Sequence, residues 1–233
     1  SERSELERQL VQSESLASLG ELAAGVAHEI RNPIGMIRSS AQLLEGSTGL
    51  SEHERTLLEV IEKEATRVAG TITEFVGFAA PTKPAIAACE VGPLLERART
   101  MLSAEAERRG MIIDVTYEPD LPPVLVDPGL LHRVLANLVL NALQVQTRGG
   151  WVGLSAARVG PGELVLHVAD RGPGIPEGDL ERIFQPFFSR RAGGTGLGLS
   201  IVQRIVSAIG GRIEVASGPK GSDFSLVFPE AEP

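Results

Sequence analysis

A seam of mostly apolar positions, Leu19, Ala23, Val26, Ile30, Pro33, Ile37, Ser40 and Leu44, recurs in alternate steps of four and three, the spacing of a helix in a coiled-coil-like bundle. The same spacing returns at Leu58, Ile61, Ala65, Val68, Ile72, Phe75 and Ala79, and Gly46, Ser47, Thr48 and Gly49 break the chain between the two runs. The pattern predicts two antiparallel helices. Two helices alone leave apolar seam exposed, so the expected remedy is a homodimer in which two hairpins form a four-helix bundle. Packing of both helices on the rest of the same chain is the alternative. Upstream, Leu6, Leu10 and Ala17 fall on a different phase, as a stutter in a continuous coil would produce. That points to a signalling helix leading in from an N-terminal sensor module outside this chain; a frayed amphipathic end would leave the same residues.

From Pro81 the pattern changes: prolines and glycines punctuate short apolar segments, and AAPTKPAIAA reads as a linker. Residues 91–109 read as a helix closed by Gly110, followed by the alternating strand MIIDVTY and a helix from about Pro128 to Gln146. WVGLSAARV, ELVLHVAD, GRIEVAS and DFSLVF read as strands, and LGLSIVQRIVSAIG as one more helix after a glycine-rich loop. The class is α+β, with helices layered on a mixed sheet. The expected organisation is an N-terminal coil over 1–18, the hairpin over 19–80, a linker over 81–90 and the α/β domain over 91–230.

Composition narrows the partners. Thirty acidic against 22 basic residues give a formal charge of -8, which argues against nucleic acid or an anionic membrane as the main partner. A single cysteine, Cys89, excludes an intramolecular disulfide framework and a cysteine metal site and fits a reducing, cytoplasmic compartment. No apolar run reaches the roughly 20 residues of a membrane span, so any membrane tether is expected outside this chain.

Candidate chemistry sits at four places. His28 falls two residues past the seam position Val26, on the outward face, with Glu29 adjacent and Asn32 one turn on. A neutral imidazole there can attack phosphorus if a neighbour takes its other proton, and Glu29 is the neighbour; taken alone, such a pair is ordinary surface decoration. In VADRGPGIP, Asp170 ends a strand and Gly172 and Gly174 let a ligand ring approach backbone while the carboxylate accepts a hydrogen bond. In GGTGLGLS, Gly194, Gly196 and Gly198 flank Thr195 and Leu197 just before a helix, so backbone amides converge on an anion site. Ordinary turns would explain either glycine set. Asn137 and Asn141 share one face of an otherwise apolar helix, where a phosphate-bound Mg²⁺ would satisfy an amide oxygen; capping or core hydrogen bonding is the alternative.

HEIRNP, the NLVLN helix, DRGPGIP, FQPFF and GGTGLGL, in that order, resemble the boxes named H, N, G1, F and G2 of sensor histidine kinases, from about Leu16 to Pro229. The resemblance implies a dimeric hairpin bundle followed by an α/β sandwich ATP-binding domain of the Bergerat type. It implies His28 as phosphoacceptor, Glu29 as its base, Asn141 as the Mg²⁺ ligand with Asn137 beside it, Asp170 as adenine reader, and Gly172, Gly174 and Ile175 around the base. Residues Gly194, Thr195, Gly196, Leu197, Gly198 and Leu199 would lie on the phosphate side. ATP and Mg²⁺ are the implied cofactors, and a response-regulator receiver domain, whose aspartate takes the phosphoryl group, is the implied partner. Asn32 fits the family's pattern for positioning water to dephosphorylate that regulator. The NALQ segment and short loop resemble the nitrogen-regulation branch.

Two departures change the phosphate end. Many relatives carry Lys three residues after the Mg²⁺-binding Asn and an aromatic one further, whereas this chain has Gln144 and Val145. Arg190 and Arg191 stand where the branch usually has threonine and lysine, so one or both are expected to reach the triphosphate, with a solvated basic pair as the alternative. Two rival functions are an ATP hydrolase of the gyrase or Hsp90 type and a catalytically silent ATP-binding scaffold. Asn137 speaks against the hydrolase, which has a glutamate there, because an amide is not a base.

Overall fold

The computed structural model describes residues 30–47, 49–79, 83–147, 149–160, 162–191 and 194–231 and separates into two compact units, Ser1–Pro81 and Thr82–Pro233. The expected N-terminal coil, His28 and Glu29 lie outside the described residues.

The first unit is a helical hairpin. Helix α1 is described over residues 30–45 and runs unbroken through Pro33, and α2 spans Glu52–Ala79. The two are antiparallel: the Arg31 guanidinium donates to the Thr73 hydroxyl at 3.5 Å, and the Gln42 amide donates to Glu62 further along. A capping box starts α2. The Ser51 hydroxyl accepts from the Glu54 N–H at 3.3 Å, and the Glu54 carboxylate accepts from the Ser51 hydroxyl at 2.6 Å and from the Ser51 N–H at 2.8 Å; the hydroxyl bond first, then the N–H bond, hold the Glu54 carboxyl below its ordinary range. Ala41, Leu58 and Ala65 are buried, the two small alanines letting the helices approach closely. Ile30, Ile37, Leu44 and Ile61 of the expected seam stay exposed, because each helix of a pair covers only one strip of the other.

The second unit is a five-stranded sheet with three helices on one face. In chain order its elements are β1 (Ala87–Cys89), α3 (Val91–Arg108), β2 (Ile112–Tyr117), β3 (Val124–Val126), α4 (Pro128–Val145), β4 (Trp151–Arg158), β5 (Glu163–Asp170), a short 3₁₀ turn (Glu177–Asp179), α5 (Gly198–Ala208), β6 (Arg212–Gly218) and β7 (Gly221–Pro229). The sheet order is β2-β4-β5-β7-β6, with β2 parallel to β4 and the other neighbours antiparallel. Residues 87–89, read from sequence as linker, instead form β1, antiparallel to β3 in a separate two-stranded sheet. No helix among the described residues is long and apolar enough to cross a membrane.

Strand alternation sets the core. Val152, Leu154 and Ala156 of β4, Leu164, Leu166 and Val168 of β5, and Phe224, Leu226 and Phe228 of β7 point to the helix layer and are buried. Helix α4 meets them with Leu131, Val134, Leu135, Leu138, Val139, Ala142 and Leu143, recurring at three and four. Asp127 caps α4, accepting from the N–H groups of Gly129 at 2.9 Å and Leu130 at 3.0 Å, with Pro128 opening the helix. Those bonds and one from the Ala85 N–H hold its carboxyl below the usual range. On the opposite side of α4 the same periodicity leaves Arg133, Asn137, Asn141 and Gln144 together.

Candidate functional site

Three pieces of backbone surround that polar face of α4. The first follows β5. Register places Asp170 opposite Val152 at the end of β5, on the buried side of the sheet, where the residue is 9% exposed. Its Oδ1 accepts the Gly172 N–H at 2.7 Å, and the Ser222 N–H bonds it as well. Burial nevertheless pushes the carboxyl up from its ordinary value, the two backbone bonds only partly opposing it. The loop beyond is held tightly. A Cβ on Gly172 would lie 2.8 Å from Asp170 Oδ1 and 3.1 Å from Val145, so the loop lies against the end of α4. Gly174 has φ +74, and the Ile175 N–H donates to the Ser217 hydroxyl at 2.7 Å.

The second piece is the start of α5. Leu197 occupies the N-cap with no side chain capping the helix, so the first-turn N–H groups are left to an external acceptor. A Cβ on Gly198 would stand 3.7 Å from the Asn141 amide nitrogen, which places this helix end beside Asn141. Gly196, at φ +68, lies with its backbone against Phe187 and Phe188; a Cβ there would be 2.4 Å from the Phe187 carbonyl carbon. Leu197 is buried, while Gly194, Thr195, Gly198 and Leu199 are half-buried.

The third piece is the segment before α5. Arg190 pairs with the buried carboxylate of Asp179 through Nε and, at 3.3 Å, through Nη2. Arg191 instead donates through Nη1 to the Gln144 side-chain oxygen on α4. Of the two arginines expected at the triphosphate, one is therefore neutralised by a neighbour within its own loop, and the other sits over the polar face.

Asn137 and Asn141 are half-buried, and neither amide has a hydrogen-bond partner among the described residues. Capping and core bonding are thus not their role in this structure. Their oxygens are hard, neutral ligands of the kind Mg²⁺ accepts alongside phosphate, so the residues fit that cation. Burial and, after it, the nearby Arg133 hold the Arg204 guanidinium of α5 below its ordinary value. Arg133 was detectable in sequence from its four-residue step before Asn137. Gln146 had no such signal, yet its side-chain oxygen accepts from the N–H groups of Trp151 at 3.1 Å and Arg171 at 3.2 Å, tying α4 to β4 and the Asp170 loop. Asn32 lies in the first unit, exposed on α1.

Residues 126–232 match the family of histidine kinase-, DNA gyrase B- and HSP90-like ATPases, and residues 18–81 match the His kinase A phospho-acceptor domain. The sensor histidine kinase ZraS of Escherichia coli K12 is 37% identical over 225 residues, covering 96% of this chain and 48% of that protein. The chain spans about half the length of the curated relatives it matches. Full-length ShkA in complex with AMPPNP superposes with a TM-score of 0.76 at 29% identity, covering 91% of this chain and 47% of that one. The histidine kinase ThkA in complex with response regulator TrrA gives 0.71 at 25% identity, covering 99% of this chain and 67% of that one. The chain thus carries, in the same order, the phospho-acceptor domain and the ATPase domain of histidine kinases.

Proposed function

We propose that the chain is the autophosphorylating core of a sensor kinase, transferring the γ-phosphoryl group of ATP to His28 and from there to an aspartate of a response-regulator receiver domain. The observation that carries this reading is the grouping of three unlike parts around one face of α4. A buried carboxylate at Asp170 can accept from an exocyclic amine of a base, the unpartnered amides of Asn137 and Asn141 suit a hard cation, and the uncapped start of α5 suits phosphate. Mg²⁺ would be held by the Asn141 amide oxygen with Asn137 beside it, and would offset phosphate charge. A ring nitrogen of His28 forms the new bond to the γ-phosphorus as the bond to the β–γ bridging oxygen breaks and ADP leaves. Glu29 takes the proton from the other ring nitrogen.

The exposed apolar strip of the hairpin supports a homodimer, with the receiver domain docking on the resulting bundle. Asn32, exposed on α1 and four residues after His28 in the sequence, positions water for dephosphorylation of the regulator. The phase of Leu6, Leu10 and Ala17 supports a helix leading in from a sensor module, the single cysteine supports a cytoplasmic core, and the NALQ segment with the short loop before α5 supports the nitrogen-regulation branch. An amide at Asn137 instead of a carboxylate disfavours the hydrolase.

The test is incubation with γ-labelled ATP and Mg²⁺, comparing the chain with His28→Ala. Label that stays on the protein, is acid-labile and base-stable, and disappears in the variant is the expected result. Free phosphate with no labelled protein would favour the hydrolase, and binding without either product would favour the scaffold.

A further inference from the structure

We propose that Gln144 is a positioning residue that delivers the Arg191 guanidinium to the triphosphate, so that the cation needed at the phosphate end comes from the loop before α5 and not from α4. This rests on the nucleotide-binding reading above. Gln144 lies three residues beyond Asn141 on the same face of α4, and its side-chain oxygen accepts from Arg191 Nη1. A neutral amide fixes a guanidinium without cancelling its charge, as a carboxylate would. Arginine presents five donors in a rigid fork, so one bond to Gln144 leaves four for phosphate oxygens.

The backbone of Arg191 is fixed independently of its side chain. The Ser189 hydroxyl accepts from the Arg191 N–H at 3.1 Å and donates to the Arg191 carbonyl at 3.2 Å, and the Gly194 N–H donates to that carbonyl at 3.1 Å. A Cβ on Gly194 would lie 2.5 Å from the same hydroxyl, so the turn is closely packed. Arg190 cannot substitute for its neighbour, since leaving Asp179 would strand a carboxylate that is 4% exposed. Arg133, the other cation on this face of α4, stands eight residues before Asn141, two turns away.

The experiment is calorimetric titration of the full chain with ATP and with ADP, Mg²⁺ present, read as the ratio of the two affinities. A guanidinium serving the triphosphate gains more from ATP, which carries one more phosphoryl group. Arg191→Ala and Gln144→Glu are expected to weaken ATP binding by about tenfold and ADP binding by less than about threefold, with Gln144→Ala intermediate. Adding Gln144→Lys to Arg191→Ala, which places a cation on α4 itself, should restore ATP affinity to within about twofold. A merely structural role would lower both affinities together and would not be rescued by lysine. An unchanged ATP-to-ADP ratio in Arg191→Ala and Gln144→Glu, or failure of the lysine rescue in a protein with wild-type circular dichroism, overturns the proposal while the nucleotide reading stands. If the wild-type chain itself takes up no ATP, the nucleotide reading falls and this proposal with it.

Discussion

A Cβ atom built on Gly174 would stand 1.9 Å from the carbonyl oxygen of Gly218, a backbone atom that no rotamer change can move aside. Gly174 also has φ +74, where a side chain costs about 1–2 kcal/mol. Overpacking against fixed backbone adds a further ~1–3 kcal/mol. Gly174→Ala should therefore destabilise the second unit by roughly 2–5 kcal/mol and weaken ATP binding by disturbing the loop after Asp170. Gly178→Ala, four residues on with nothing within 4 Å of its Cβ, should be nearly neutral. Thermal unfolding of both variants checks the contrast; equal melting temperatures would show that the approach to Gly218 relaxes freely.

Asp170 gives a pH signature. Its folded-state pKa is raised by burial, so the folded state holds the proton more tightly than the unfolded chain, whose carboxylate titrates near about 3.9. The contribution to stability is fully present below that unfolded value and is lost as pH rises through the folded value; at neutral pH the buried charge is a cost. Asp170→Asn removes this dependence, so wild type should gain stability relative to the variant as pH falls from about 8 to about 4. ATP affinity should drop by ten- to about a hundredfold, the size of a hydrogen bond to a charged group. Denaturant midpoints across that pH range, paired with titrations at neutral pH, measure both effects. A pH-independent stability difference would mean that Asp170 is not held up by burial.

Asn141 should separate binding from folding. Its amide has no partner among the described residues and lies beside Gly198, so truncation removes no internal bond. Asn141→Ala is expected to change stability by less than about 0.5 kcal/mol. The gain in ATP affinity that Mg²⁺ confers should shrink on the order of tenfold. Titrations with Mg²⁺ and with a chelator give the comparison, and an undiminished Mg²⁺ effect would remove Asn141 from the cation site.

What the sequence made legible follows the range over which each interaction acts. Helix α4 was readable because its signals are local: the Asp127-Pro128 start and apolar steps of three and four place Asn137 and Asn141 together before any tertiary contact is known. The glycine loops were readable because their geometry is set within a few residues. Strands β1 and β3 were not, since three residues carry too little alternation and the pair forms between segments distant in sequence. The division of labour between Arg190 and Arg191 was equally hidden. It depends on Asp179, in a 3₁₀ turn that periodicity does not mark, and on Gln144, brought across from another helix. Gln146 and Ser217 escaped for the same reason, acting through bonds that only the assembled sheet creates.

The hairpin yields the last prediction. Leu43 is 78% exposed and Leu57 49%, and they are joined near the turn by Leu44, Val60 and Ile61, also exposed. The antiparallel register that pairs Arg31 with Thr73 and Gln42 with Glu62 brings residue 43 alongside residue 61, so these side chains form one patch and not scattered positions. Each large apolar side chain buried on association contributes about 1.5–3 kcal/mol, and in a two-fold dimer each is buried twice. Leu43→Glu with Leu57→Glu places four charges in the proposed interface of the pair. Both positions are exposed, whereas Ala41, Leu58 and Ala65 are the buried contacts within one hairpin, so the helices should still form. Light scattering after size exclusion should report a dimer for the wild-type chain and a monomer of unchanged helicity for the double variant. ATP titration separates assembly from nucleotide binding: the variant should bind ATP as the wild type does, because Asp170, Asn141 and α5 all belong to the second unit. A double variant that remains dimeric would place the interface on another face of the hairpin.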